Sequence, residues 1–191
     1  VGLMKKLHQM PEWKEIVRDN SEEISYFTGI DELIYQKEPY LRIARPDRTE
    51  DNIGIHRDTH YGASTSEWVL WVPLTDSIRG AELKILTASH YEPDEAYPWT
   101  QVENPSVEKG SDKHWLGFRY APKKMSNQVE DSCTPVPCFL GEAIIFNCGC
   151  VHGQIVNEAP WTRFSIDIRL TDKNADVQKT RGVHGEIYAS L

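Results

Sequence analysis

The stretch Arg163-Phe-Ser-Ile-Asp-Ile-Arg-Leu170 constrains the fold more than any other part of the chain. Phe164, Ile166, Ile168 and Leu170 alternate without a break against Arg163, Ser165, Asp167 and Arg169. Successive side chains of a strand point to opposite faces, so a period of two makes a strand with one apolar and one polar face. The polar face either meets water or lines a cavity that holds an acidic ligand. A second stretch, residues 66–75, is apolar almost throughout, as in a strand buried on both faces. Leu41 and Ile43 alternate with Arg42 and Ala44, alternation resumes over 81–86, and Gly141 opens a further strand. Many short strands divided by turn residues imply a β-sandwich or barrel.

Helices are expected only near the start. Leu3, Leu7, Met10, Trp13, Ile16 and Val17 recur at helical spacing over 3–18, where Pro11 begins a new helix or kinks the first. Ser21-Glu-Glu starts another short helix, which Gly29 ends. We expect these helices to cover one face of a sheet. Residues 91–132 differ again, with several prolines, Trp99, Trp115, Phe118, Tyr120 and Met125 among charges and little periodicity. An insertion of that length reads as an ordered lid or as padding on the outer sheet. The whole is one domain, with 1–35 a helical cover, 36–90 and 136–171 the β core, and 91–135 the insertion.

Composition narrows the partners. A net charge of −8 argues against nucleic acid, which calls for a basic footprint. The longest apolar run, 68–74, is strand-sized, far short of the ~18 residues that span a bilayer. No basic-then-apolar leader opens the sequence, so we expect a cytoplasmic protein that acts on a small molecule. Cys133, Cys138, Cys148 and Cys150 are expected to be thiols there, and their spacing matches no structural zinc motif. Cys148 and Cys150 read as small buried residues of a strand that ends at His152.

The chemistry gathers around Gly54-Ile-His56-Arg-Asp58-Thr-His60. On a strand over 53–58, His56 and Asp58 point the same way and can grip adjacent corners of one metal ion. His152 is placed to supply a third ligand. Two histidines and one carboxylate on one octahedral face are the ligand set of non-haem Fe(II) oxygenases, whereas zinc is more often closed by four ligands. Taken alone, His-x-Asp arises by chance in many chains. Arg163 follows His152 by eleven residues, enough for a turn and a return strand, and its fork of donors fits a carboxylate with the Ser165 hydroxyl beside it. Arg169 shares that face and is the rival, ~20 Å further along at strand rise. His60 faces solvent or supports a ligand, and His90 hydrogen-bonds a corner. His114 and Trp115 either touch substrate or pack the insertion.

In order and spacing, His56-x-Asp58, His152 and Arg163-x-Ser165 resemble the Fe(II)- and 2-oxoglutarate-dependent dioxygenases. Trp71-Val-Pro-Leu-Thr-Asp and Gly80-Ala-Glu-Leu through Ser89-His90 resemble the phytanoyl-CoA dioxygenase-like branch, although Ala88 stands where that corner usually carries Gly. The resemblance covers 40–91 and 136–171. It implies a mainly β, double-stranded β-helix (jelly-roll, cupin-like) core with N-terminal helices packed on one sheet. It also implies Fe(II) on His56, Asp58 and His152, and 2-oxoglutarate chelating the metal with its distal carboxylate on Arg163 and Ser165. O₂ takes the last position, and turnover releases succinate and CO₂. Halogenating relatives lack the metal-binding carboxylate, so Asp58 points to hydroxylation or a related oxidation. A catalytically silent jelly-roll protein and a cupin isomerase are the alternatives.

Overall fold

A computed structural model describes residues 2–101, 123–175 and 188–191. Three helices come first: α1 (Gly2–Gln9), α2 (Glu12–Asp19) and α3 (Ser21–Thr28). The strands follow as β1 (Leu33–Gln36), β2 (Tyr40–Ala44), β3 (Trp68–Pro73), β4 (Leu83–Leu86), β5 (Trp99–Gln101) and β6 (Lys123–Met125). After the helix α4 (Asn127–Ser132) come β7 (Thr134–Val136), β8 (Ile144–Asn147), β9 (Val151–Gly153), β10 (Arg163–Asp172) and β11 (Tyr188–Ser190).

Strand β10 is the axis of the larger sheet, whose order is β11-β1-β10-β3-β8 with β2 also paired to β10. The smaller sheet runs β7-β4-β9 and is extended past β9 by an antiparallel bridge between His56 and His152. All named strand pairs are antiparallel. Along the chain, β2, the His56 bridge, β3, β4 and β7, β8, β9 and β10 pass back and forth between the two sheets, a jelly-roll-like path.

The period of two in β10 decides where the core sits. Ile166, Ile168 and Leu170 are fully buried and meet Leu70 and Val72 of β3, Leu33 and Tyr35 of β1, and Trp13, Val17 and Ile24 of α2 and α3. The Trp13 ring stands edge-on to Tyr35, centroids 5.8 Å apart. The other face of β3 carries Val69 and Trp71 into a second cluster between the sheets, with Leu83, Phe146, Cys138, Cys148 and Cys150. Strand β3 is thus apolar on both faces because each face enters a different core. Truncating a residue such as Ile168 to alanine costs ~2–5 kcal/mol, the transfer energy plus the cavity left behind.

Several local expectations change. The helical cover expected over 1–35 stops at Thr28, and Leu33–Gln36 is a strand between β10 and β11. Four residues are too few to show periodicity against their surroundings. Pro11 does separate two helices, and α3 does end at Gly29. The strand expected over 53–58 shrinks to the single His56 bridge, because a 3₁₀ turn begins at Asp58 and runs to Tyr61. Cys148 and Cys150 are buried thiols, yet they lie in the turn between β8 and β9 rather than in a strand. Asn147 closes that turn: its side-chain oxygen accepts from Gly149 N at 2.8 Å, and its carbonyl accepts from Cys150 N at 2.8 Å. Of the 91–135 insertion, the described flanks form the β5–β6 pair and α4, and Met125 packs against Ile55 and Val151 beside the ligand segment. His114 and Trp115 lie outside the described residues.

Candidate metal centre

His56 and His152 face each other across their bridge, His56 N donating to His152 O at 2.8 Å and His152 N to His56 O at 2.9 Å. Such a doubly bonded antiparallel pair holds its side chains on one face. The two ring centroids are 4.5 Å apart, and the Phe146 ring also lies 4.5 Å from that of His152. Each Nδ1 sits 2.9 Å from the carbonyl two residues earlier, Gly54 for His56 and Cys150 for His152. A carbonyl only accepts, so each Nδ1 carries the hydrogen and each Nε2 keeps its lone pair.

Asp58 N donates to Cys148 O at 3.1 Å, which sets the start of the 3₁₀ turn against the β8–β9 corner. Its carboxylate reaches both imidazoles, with Oδ1 3.6 Å from His56 Nε2 and Oδ2 3.6 Å from His152 Nε2. The three ligand atoms lie within 4.8 Å of one another, and among the described residues no other trio of His, Cys, Asp and Glu is gathered so closely. Donors each ~2 Å from one ion stand ~3 Å apart, so small side-chain adjustments bring this set onto a metal.

Arg169 Nη1 donates to Asp58 Oδ2 at 2.5 Å and to Cys148 Sγ at 2.8 Å. Burial by itself pushes the Asp58 carboxyl up, but Arg169 and the two imidazoles outweigh it and hold the group well below the usual carboxylate range. Burial and the neighbouring His56 lower His152 to about 4, against the pull of Asp58, so its imidazole is neutral near pH 7. Arg169 does not reach for an anion from outside, as a rival of Arg163 would; it is the partner of Asp58.

The same cavity, about 70 Å³, is lined by the triad and by Trp71, Arg163 and Asp167. Arg163 is 4% exposed, donates to Ala81 O at 3.2 Å and lies over the Trp71 ring at 5.4 Å. Its Nε and the Ser165 hydroxyl are buried with no hydrogen-bond partner among the described residues. Burial lowers Arg163 to about 10, with Asp167 opposing the shift and Arg42 adding to it. Asp167 is engaged by Arg42 Nε at 2.7 Å. The polar face of β10 therefore looks into the cavity that holds the triad.

His60 is buried rather than solvent-facing, with its ring 6.0 Å from Trp99 and Nε2 3.9 Å from Asp94. His90 is a corner group, Nδ1 lying 3.3 Å from Cys150 Sγ. Beside it Ser89 Oγ donates to Leu86 O at 2.7 Å and accepts from Val151 N at 2.8 Å, while Ala88 takes the left-handed conformation at φ +64°. Arg57, between the two ligands, carried no signal in the sequence. It is 1% exposed and donates from Nη1 to Pro93 O and from Nη2 to Glu92 O, both at 3.0 Å, tying the ligand segment to the root of the insertion.

No family model matches this sequence, and no curated protein matches it by sequence. By structure the chain is similar to EvdO2 from Micromonospora carbonacea var. aurantiaca, at a TM-score of 0.59 and 15% identity over 100% of this chain and 66% of that one. The same protein complexed with 2-oxoglutarate gives 0.57 and 17% identity over 87% of this chain and 58% of that one. The non-heme alpha ketoglutarate dependent epimerase SnoN from nogalamycin biosynthesis gives 0.52 and 15% identity over 100% and 68%. The chain spans 58% to 68% of the length of these structures and 45% to 47% of others that it matches. Identities this low establish likeness of fold, and the fold shared with these structures is the mainly β, antiparallel, jelly-roll-like one described above.

Proposed function

We propose that this chain is a non-haem Fe(II)- and 2-oxoglutarate-dependent oxygenase of the phytanoyl-CoA dioxygenase-like branch, hydroxylating a small molecule. The carrying observation is the convergence of His56, Asp58 and His152, with both Nε2 atoms directed by their Nδ1 bonds to be donors. The Arg163 Nε and the Ser165 hydroxyl, buried without partners among the described residues, stand in the same polar face. The donor set fits a divalent iron: two imidazole nitrogens and one carboxylate, with no thiolate among them.

Bound there, the iron would supply the oxidising chemistry, in which O₂ and 2-oxoglutarate yield succinate, CO₂ and an oxidised substrate. The protein's own residues do the rest. His56, Asp58 and His152 would hold the metal, and the His56–His152 bridge keeps two donors at fixed separation. Arg163 and Ser165 would hold the distal carboxylate of 2-oxoglutarate, which supplies the acceptors that Arg163 Nε and Ser165 Oγ lack. A buried arginine is costly until an anion meets it, so this pocket favours a dicarboxylate over a neutral cosubstrate. Trp71 walls the guanidinium, and Phe146 lines the same cavity beside His152.

All four cysteines are free and buried, which suits the cytoplasm, and no helix of the described residues is long and apolar enough to cross a membrane. The net charge of −8 favours a small-molecule substrate over nucleic acid. The test is anaerobic loading with Fe(II), addition of 2-oxoglutarate and O₂, and detection of succinate by mass spectrometry. Succinate is expected from the native chain and not from His152→Ala or Asp58→Ala. Iron bound with no succinate formed would make this a metal-binding jelly-roll protein or an isomerase instead.

A further inference from the structure

A carboxylate can give a metal one oxygen or two, and the choice decides how many positions remain for other ligands. Asp58 Oδ2 is already engaged by Arg169 Nη1 at 2.5 Å, a short, charge-assisted bond. Both groups are buried, Asp58 at 7% and Arg169 at 5% exposure. Each oxygen lies 3.6 Å from an imidazole, Oδ1 from His56 Nε2 and Oδ2 from His152 Nε2, and only Oδ2 is held by Arg169.

Arg169 is itself pinned from several directions. It lies in the middle of the sheet, paired with Val69 of β3, and its backbone N donates to Gln36 Oε1 at 3.2 Å. Its Nη1 also meets Cys148 Sγ at 2.8 Å, and Cys148 O accepts the Asp58 backbone N at 3.1 Å. Asp58 is thus held at backbone and side chain by one neighbouring pair, Cys148 and Arg169. The Nε of Arg169 is buried with no hydrogen-bond partner among the described residues. The guanidinium tolerates that unsatisfied donor while Nη1 keeps its hold on Asp58.

We propose that Arg169 is a positioning residue that reserves Oδ2 and makes Asp58 a one-oxygen metal ligand. Three adjacent positions on the metal then stay open for cosubstrate and O₂. This inference rests on the metal-site reading above, and the test separates the two.

The probe is Co(II), added to the full chain without cosubstrate. Its dissociation constant is measured by competition with a chromophoric chelator, and its visible spectrum is recorded at saturation. The native chain should bind Co(II), and Asp58→Ala should lose it. Arg169→Met should fold by circular dichroism, bind Co(II) ~10- to 100-fold more weakly because the Asp58 carboxylate loses the partner that orients it, and show an altered spectrum because Asp58 is then free to use both oxygens. Arg169→Lys, which keeps the charge but not the planar fork, should recover part of the affinity. If Arg169→Met does not fold, Arg169→Lys decides, with a loss of several-fold and a shifted spectrum expected. An unchanged constant and spectrum in the folded Arg169 variants, with Asp58→Ala still deficient, would overturn the positioning role alone. A native chain that binds no Co(II), or an Asp58→Ala that binds it as well as the native chain, would overturn the metal site itself.

Discussion

Gly153→Ala is a sharp test of how the site is built, because the added methyl reaches His56 and His152 through backbone alone. A Cβ on Gly153 would stand 2.1 Å from Gly54 O, 2.8 Å from Gly54 C and 3.1 Å from Ile55 Cα. Carbon and oxygen in contact need ~3.3 Å, so the 54–55 backbone must withdraw by about 1 Å. Gly54 O is the acceptor that orients the His56 ring, and the withdrawal also opens the two bridge bonds of 2.8 and 2.9 Å between His56 and His152. Losing those two bonds costs ~2 kcal/mol, and placing alanine at φ +147° adds ~1–2 kcal/mol. The sum, ~3–4 kcal/mol, corresponds to a melting-temperature drop of ~6–16 °C for a chain of this size. Gly141→Ala is the control: φ is +95° there and nothing lies within 4 Å, so only the strain of ~1–2 kcal/mol applies. Thermal melts and Co(II) titrations of both variants decide the matter. Gly153→Ala should melt well below Gly141→Ala and bind Co(II) ~10- to 100-fold more weakly. Equal melting temperatures and equal affinities would refute the claim that close approach of the 54–56 and 152–153 backbones builds the site.

Arg163→Ala should keep the metal but weaken 2-oxoglutarate binding by ~30- to 1000-fold, the equivalent of ~2–4 kcal/mol for a buried charge-assisted contact. Arg163→Lys should recover only part, and a 2-oxoglutarate affinity unchanged by calorimetry in Arg163→Ala would remove the role from this residue. Acidification should destabilise the metal-free chain, since folded His152 takes its proton only at about 4 while the unfolded chain takes it near 6.5. The unfolded state binds more protons in that window, so stability falls by ~3 kcal/mol from pH 6.5 to 4, and the depressed Asp58 adds a further loss as pH falls below the ordinary carboxylate range. Urea midpoints at pH 7 and pH 4.5 measure this; His152→Gln should flatten the dependence, and a native midpoint insensitive to pH would contradict it.

The features legible in the sequence are those that local periodicity and side-chain chemistry determine. The alternation from Arg163 to Leu170 specifies a strand with one apolar and one polar face, and β10 is that strand. Pro11 and Gly29 mark helix boundaries through backbone restriction alone. His56, Asp58 and His152 stand out because few other residue types bind a hard divalent ion, and the fold brings them within 4.8 Å. Tertiary structure decided the rest, because period two assigns faces to a strand but not the partners those faces meet. Arg163 and Arg169 were equivalent by alternation; sheet packing set Arg169 on Asp58 and left Arg163 facing the open cavity. Arg57 carries no signal in the sequence, and the returning segment at Glu92 and Pro93 buries it. Strands β1 and β11 are too short to declare themselves, and exist as strands because β1 pairs with β10 across more than a hundred residues and β11 pairs with β1. The need for glycine at 153 is equally invisible in one dimension, since the atom it avoids belongs to Gly54, brought there only by the His56–His152 bridge.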